Sequence, residues 1–337
     1  MAVTSSTNPS SIADQYQTYF SKKLLDYAVQ SIRKAEFANT APFPKNTGAK
    51  SIRFFRFGEP DATLDGSTGI QTLTEGTAMA ASKYRELTLE YVDATLVQYG
   101  QVIGMTDILN NTSLLNMMSQ ASKTNGEDAA LHMDTIIRDE LVNKGDTDES
   151  DSRTKRYSGT ATTMAEMNSL TAAQGKFTAV DSLDGTTNLK INRAPQIGGK
   201  YVCIAAPQVT RDLMNDTDWL EAHKYSDVQP LYKGEVGSLH GTRFVEDTNP
   251  FREDSDAKGV YASDGVVFSS IFLGGDAFGV PQLAGDSPKS PQVLITDGPD
   301  KSDPLNQLVT VGWKVYWTAK VLNSNWFIVH RSRSEYA

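Results

Sequence analysis

The chain has little with which to build redox or metal chemistry. A single cysteine, Cys203, stands among 337 residues, so no internal disulfide can close and no thiolate zinc site can assemble. A secreted disulfide scaffold and a zinc ribbon are thereby excluded, and a reducing compartment is expected. Four histidines, His132, His223, His240 and His330, include no i, i+4 pair and no HExxH pattern, which argues against a histidine-based zinc enzyme. Apolar runs are short, none nearing the ~18 residues of a membrane span. The opening MAVTSSTNPSS lacks the basic-then-apolar order of a signal peptide, and a soluble, unsecreted product is expected. Positive charge is also in deficit: 32 Lys and Arg against 41 Asp and Glu leave −9, the wrong sign for a protein that coats nucleic acid. No repeat of fixed period is present, which excludes solenoids and propellers.

What is present reads as a polar globular chain of two domains or one elaborated one. After a Ser/Thr-rich tip at 1–11, apolar residues recur at helical spacing through Ile12, Tyr16, Tyr19, Phe20, Leu24, Tyr27, Ala28, Ile32 and Ala35, predicting an amphipathic helix over 12–38 stopped by Pro42 and Pro44. Such a helix has little of its own chain to pack against, so another subunit is its expected partner. Lys50 to Phe57 (KSIRFFRF) is strand-like, Asp61 to Thr72 is polar and Gly-rich, and Tyr84 to Tyr99 returns as a strand with Leu87, Leu89 and Tyr91 on one face and a parity shift near Asp93 and Ala94. Together these predict a two-stranded arm with a polar tip, marginal on its own and in need of an external partner.

Thr106 and Asp107 supply N-cap side chains for a helical region reaching about Lys144, with a break at Asn125–Gly126, a stripe of Ala130, Met133, Ile137 and Leu141, and Gly145 as C-cap. A short helix over Met164 to Gln174, a strand over Tyr201 to Ala206 and a helix opened by Pro207 follow. Short strands in GEVGSLHG, TRFVED and GVVFSSIFLGG come next. At the end, Val309, Val311, Trp313, Val315 and Trp317 alternate strictly with polar or small residues. With a turn at Asn323 to Asn325 and a return strand at Trp326 to His330, this predicts a terminal hairpin.

No motif supplies catalysis. The acidic run from Asp146 to Asp151 offers oxygen ligands, but an EF-hand counted from Asp146 needs Gly and Glu where Asp151 and Tyr157 stand, so a solvated acidic loop is expected. Gly234, Gly237 and Gly241 lack the Lys-Ser/Thr of a phosphate loop and read as turn glycines. No GxSxG or GxGxxG occurs, and Cys203, inside an apolar strand, reads as packing. His132 and His330 read as hydrogen-bonded core or interface histidines. Arg53-Phe54-Phe55-Arg56-Phe57 interleaves basic and aromatic residues as a single-strand nucleic-acid platform would. The net charge favours instead an arm strand packed on a neighbouring subunit. No catalytic, cofactor-binding or metal-ligating residue is assigned, and the chain is expected not to be an enzyme.

Several segments, in order, resemble the major capsid proteins of tailed bacteriophages, specifically the family typified by the capsid protein of coliphage N-four. They are Leu73-Thr74-Glu75-Gly76, Gln98-Tyr99-Gly100 with Met105-Thr106-Asp107, Ala206-Pro207 leading into Arg211-Asp212-Leu213, and Gly234-Glu235-Val236-Gly237. Gly241-Thr242-Arg243-Phe244-Val245-Glu246, Asp303-Pro304-Leu305-Asn306-Gln307 and Gly312-Trp313-Lys314 continue the series.

The resemblance implies an α+β chain with the shell fold shared by tailed phages, herpesviruses and encapsulins. Its parts would be an N-terminal arm at 1–48, an extended loop at 49–104, a peripheral domain with a spine helix at 105–159, an axial domain at 160–300, and a return to the peripheral domain at 301–337. It implies an icosahedral virion shell of hexamers and pentamers enclosing double-stranded DNA, assembled in the bacterial cytoplasm, with separate scaffolding, portal and decoration proteins. No cofactor or membrane is implied, and no residue carries over the Lys–Asn cross-link between subunits of a distant relative. Expected assembly contacts are Tyr16, Tyr19, Phe20, Phe54, Phe55, Phe57, Asp61 and Thr72. Two alternatives are an encapsulin-like compartment and, from another class, a carboxylate-dependent hydrolase.

Overall fold

A computed structural model describes residues 33–43, 50–57, 75–78, 89–113, 117–147, 155–223, 232, 234–253, 266–283, 291–296, 305 and 307–336. A 3₁₀ turn at Lys34–Phe37 leads into β1 (Asn39–Phe43). β2 (Ser51–Phe57) and β3 (Leu89–Thr95) follow, and after Leu96 the chain continues as β4 (Val97–Thr106). The Thr106 hydroxyl accepts from the Leu109 N–H and caps α1 (Asp107–Thr112), satisfying one of the donors a helix start leaves open. α2 (Met117–Thr147) is the long helix, and its stripe of Ala130, Met133, Ile137 and Leu141 is fully buried, as the spacing requires.

Beyond it lie β5 (Lys155–Tyr157), α3 (Met164–Ser169) and α4 (Ala179–Ile191). β6 (Tyr201–Ala205) precedes α5 (Pro207–Met214), which carries its proline in the first turn, and α6 (Thr217–His223). The rest is strand: β7 (Glu235–Leu239), β8 (Thr242–Glu246), β9 (Phe251–Glu253), β10 (Val267–Leu273), β11 (Phe278–Leu283), β12 (Gln292–Thr296), β13 (Leu308–Trp317), β14 (Lys320–Val321) and β15 (Phe327–Ser332).

Four sheets result. The largest runs β5-β15-β10-β6-β8-β7, with β9 on β10; the others are β12-β13-β4, β1-β11-β14 and the ribbon β2-β3. α2 lies across β13, where the Trp317 indole N–H donates to the Met133 carbonyl at 3.2 Å and Asn125 Nδ2 to the Val311 carbonyl at 2.8 Å. One core gathers Met133, Ile137 and Leu141 with Trp313, Val315 and Trp317 and with Val202, Ile204, Ile271 and Phe327 of the large sheet. A second, containing Phe177, Leu189, Cys203, Phe244, Phe272 and Ile328, fills the side covered by α4. Helix and sheet meet closely there because Gly185 has no side chain: a Cβ on it would come within 3.0 Å of the Phe272 ring.

Several expectations are corrected. The helix expected over 12–38 does not reach its predicted end: its residues before 33 lie outside the described residues, 34–37 form a 3₁₀ turn, and Ala38 is extended. Pro42 stands in β1, an edge strand whose exposed side tolerates a missing N–H. Ala35 and Phe37 are buried in their own chain's core, not left for a neighbour. The break at Asn125–Gly126 does not occur: α2 is continuous through both residues, with Asn125 donating its amide N–H to the Val311 carbonyl of β13, and the helix runs past Gly145 to Thr147. β13 and β15 both exist but do not pair: β13 lies between β12 and β4, whereas β15 lies between β10 and β5. The intervening β14 diverts the chain onto β11, so the terminal hairpin is two strands in two sheets. α4 was not anticipated, although Thr178 and Asp181 form a capping box at its start.

Candidate assembly surface

β2 and β3 pair antiparallel, from Ser51 opposite Thr95 to Phe57 opposite Leu89. The period of two gives this ribbon two faces. Phe54 and Val92 point to the body, where the Phe54 ring rests on Gly279 of β11; a Cβ on that glycine would meet the ring at 2.9 Å. A cleft of about 290 Å³ opens beneath, lined by Asn39, Phe54, Val92, Asp276, Leu322 and Trp326 among others. Asn39 Nδ2 donates to Asp276 Oδ1 across its floor at 2.7 Å.

The opposite face looks outward. On it Phe55 stands opposite Tyr91 and Phe57 opposite Leu89, with 65, 58, 61 and 51 % of their surfaces exposed in that order. Four large apolar side chains on one strip of a two-stranded ribbon make a contiguous patch, the kind of surface that marks an interaction site. Arg53 frames it, its guanidinium bonded to both carboxylate oxygens of Asp93 at 2.7 and 2.8 Å and lying 4.0 Å over the Tyr91 ring. The hydrogen bond from Arg53 holds the Asp93 carboxyl below the usual carboxylate range. Arg56 is engaged in the same way, its Nε donating to Glu90 at 3.0 Å. Both basic residues of the RFFRF motif thus face carboxylates across the ribbon, which removes the charge a phosphate backbone would need.

A second outward strip was not read from the sequence. On the face of β12-β13-β4 turned away from α2, exposed Leu294 stands opposite Gly312, and Gly312 opposite exposed Val102. Gly312 is the signal that could have found it: a Cβ there would meet Val102 at 2.9 Å, so the position keeps the face flat.

Of the expected contact residues, Phe55 and Phe57 share the outward strip, while Phe54 turns inward. Tyr16, Tyr19, Phe20, Asp61 and Thr72 lie outside the described residues. No shift or bulge occurs at Asp93 and Ala94, where the register against β2 is unbroken; the change in apolar parity there only marks Val92 and Ala94 as the inward residues of β3, and the chain leaves the ribbon later, at Leu96, where β4 begins to pair with β13. His132, expected as a core or interface histidine, is exposed, with its ring edge-on to Tyr99 at 4.9 Å. His330 is buried, its Nε2 3.4 Å from Asp181 Oδ1. Burial pushes the Asp181 carboxyl up, but bonds from His330 and Thr178 outweigh this and hold it below its ordinary value. Cys203 is fully buried and burial pushes its thiol well up, which suits packing and not nucleophilic attack. Among the described residues no group of three or more His, Cys, Asp or Glu side chains is placed to hold a metal, and no helix is long and apolar enough to cross a membrane.

The comparisons with known proteins agree with this picture. The model of a family described as "Phage capsid protein" matches residues 139–291. The fold is similar to that in the capsid of Ralstonia phage GP4, at a TM-score of 0.64 and 15 % identity over 90 % of this chain and 93 % of that one. The capsid asymmetric unit of cyanophage Pam1 gives a TM-score of 0.62 at 13 % identity, covering 91 % of this chain and 92 % of that one. The SrpI encapsulin of Synechococcus elongatus gives 0.54 at 10 % identity, covering 90 and 89 %. No curated protein matches by sequence. The chain therefore has the α+β shell fold of phage capsids.

Proposed function

We propose that this chain is a phage capsid protein, structural and not enzymatic, and the major subunit of an icosahedral head, assembling in the bacterial cytoplasm as hexamers and pentamers around packaged double-stranded DNA. The observation that carries the reading is the outward strip of Phe55, Phe57, Leu89 and Tyr91, four large apolar side chains more than half exposed on a ribbon that, among the described residues, pairs with no other sheet. A two-stranded ribbon is marginal in water, and a neighbouring subunit that covers this strip would both order the ribbon and bind through it. Each such contact is small. Repeated around a closed shell, contacts of this size multiply by avidity. The acidic balance of −9 suits a container that holds DNA without adhering to it.

In this reading the arm is 1–48, the extended loop 49–104, the peripheral domain 105–159 with α2 as its spine, the axial domain 160–300, and 301–337 the return to the peripheral domain. Scaffolding, portal and decoration proteins would be separate chains. Electron microscopy of the purified protein tests it: closed shells are expected from the natural chain, and soluble, unassembled subunits after deletion of Asp61 to Thr72. Normal shells from that deletion would overturn the role given to the loop. The likeness to the SrpI encapsulin favours a second reading, a protein-filled compartment. DNA or protein recovered from inside the particles separates the two.

A further inference from the structure

Lys34 is nearly the most buried lysine a fold can hold, with 1 % of its surface exposed, and it meets two carboxylates that are equally dry. Its Nζ lies 2.5 Å from Asp134 Oδ2 on α2 and also contacts Asp247 Oδ2, in the turn between β8 and β9. A buried ammonium with two buried carboxylates carries a heavy desolvation cost. All three side chains are almost wholly removed from solvent.

The groups around the cluster are arranged for more than charge pairing. Asp247 Oδ1, the oxygen not touching Lys34, accepts from the Asn249 backbone N–H at 3.1 Å. Asp134 also accepts from the Lys34 backbone N–H at 3.1 Å and from Asn249 Nδ2 at 3.3 Å. Arg138 Nη1 donates to Asn249 Oδ1 at 2.8 Å and fixes which way that amide faces.

We propose that Lys34 and Asp247 join in an intrachain isopeptide bond, formed autocatalytically with Asp134 as the proton carrier. The ammonium passes one proton to Asp247, leaving an amine and a carboxylic acid. The amine lone pair attacks Asp247 Cγ, and the Asn249 N–H stabilises the charge that develops on Oδ1, as a preorganised donor does for any acyl transfer. Asp134 takes a second proton from the nitrogen and delivers it to Oδ2, whose bond to Cγ breaks with its electron pair. One water leaves, one N–H remains on the amide, and Asp134 ends as the carboxylate it began. No oxidant, metal or cofactor enters. The product ties the N-terminal arm to the turn between β8 and β9 of the same subunit, replacing a desolvated charge pair with a neutral amide. This rests on the local geometry alone and is independent of how the shell assembles.

Mass spectrometry of the folded full chain tests it directly. The intact mass is expected to fall short of the sequence mass by one water, about 18 Da, and a protease digest is expected to yield the peptide containing Lys34 joined to the peptide containing Asp247. Asp247→Ala should abolish the joined peptide, and Asp134→Asn should leave most chains unjoined in protein that still folds. A natural chain with no missing water and free Lys34 and Asp247 peptides would overturn the proposal without reliance on any variant. A fully joined Asp134→Asn chain would overturn the role of Asp134.

Discussion

β13 and the β2-β3 ribbon each carry an apolar strip along one face, and the two strips meet opposite fates. In β13, Val309, Val311, Trp313, Val315 and Trp317 alternate with polar or small residues and are all buried against α2. In the ribbon, Phe55 and Phe57 share one face of β2 with Arg53 and are separated by Arg56, and they face outward with their partners Tyr91 and Leu89. Period-two alternation says that a strand has an apolar face. It does not say whether the layer that covers the face belongs to the same chain. β13 lies between two strands and under a helix, whereas among the described residues the ribbon pairs with nothing beyond itself. The first strip therefore holds the subunit together, and the second is left for whatever meets the subunit.

The sharpest way to break that contrast is in β13. Trp317 is 1 % exposed and its indole bonds to the Met133 carbonyl, so Trp317→Ala should cost about 3–5 kcal/mol. That is a large share of the roughly 5–15 kcal/mol of a domain. Trp313→Ala should act in the same direction. Chemical denaturation of the soluble fraction checks both, and an unchanged midpoint would show that this face is not core.

Asp181 should come next. Its carboxyl sits below its ordinary value in the folded chain, so its stabilisation is complete above the ordinary carboxylate range and is lost as pH falls through the lowered folded value. Asp181→Asn should lose about 1–3 kcal/mol near neutrality and show a flatter acid limb; parallel limbs in the two proteins would contradict the assignment. Gly279→Ala sharpens the contrast at the boundary between the two regions. It crowds the Phe54 ring, toward the low end of the about 1–3 kcal/mol of overpacking because the ring can swing into the cleft. Faster proteolysis within the ribbon is the expected sign.

The smallest change in the isolated subunit belongs to the outward strip. Phe55→Ser with Phe57→Ser should move subunit stability by no more than about 0.5 kcal/mol, yet abolish shells in electron microscopy. Arg53→Ala should leave the melting curve of the subunit where it was and weaken assembly less than the double aromatic change. If the aromatic pair unfolded the subunit as the tryptophans do, the two strips would not differ in kind.

Much of this was legible before any fold was known. The stripe on α2, the N-cap at Thr106, the proline that opens α5, the buried run of β6 and the alternation of β13 are consequences of local spacing and side-chain chemistry, and each stands where the residues place it. Composition also acts locally: a single cysteine rules out an internal disulfide and a thiolate zinc site, and four scattered histidines form no zinc-binding motif.

Tertiary structure decided what local pattern cannot encode. Partner choice between strands is non-local, so β13 and β15 looked like a hairpin and became members of different sheets. Burial of polar groups depends on partners distant in sequence: Lys34 reads as the solvated face of a helix until Asp134 and Asp247 meet it, and Asn125 reads as a helix break until the Val311 carbonyl accepts its amide. The sequence determined which faces are apolar, because that depends only on residue order. Which of those faces the chain covers for itself was settled by packing, because covering a face requires a second element that only the fold can bring.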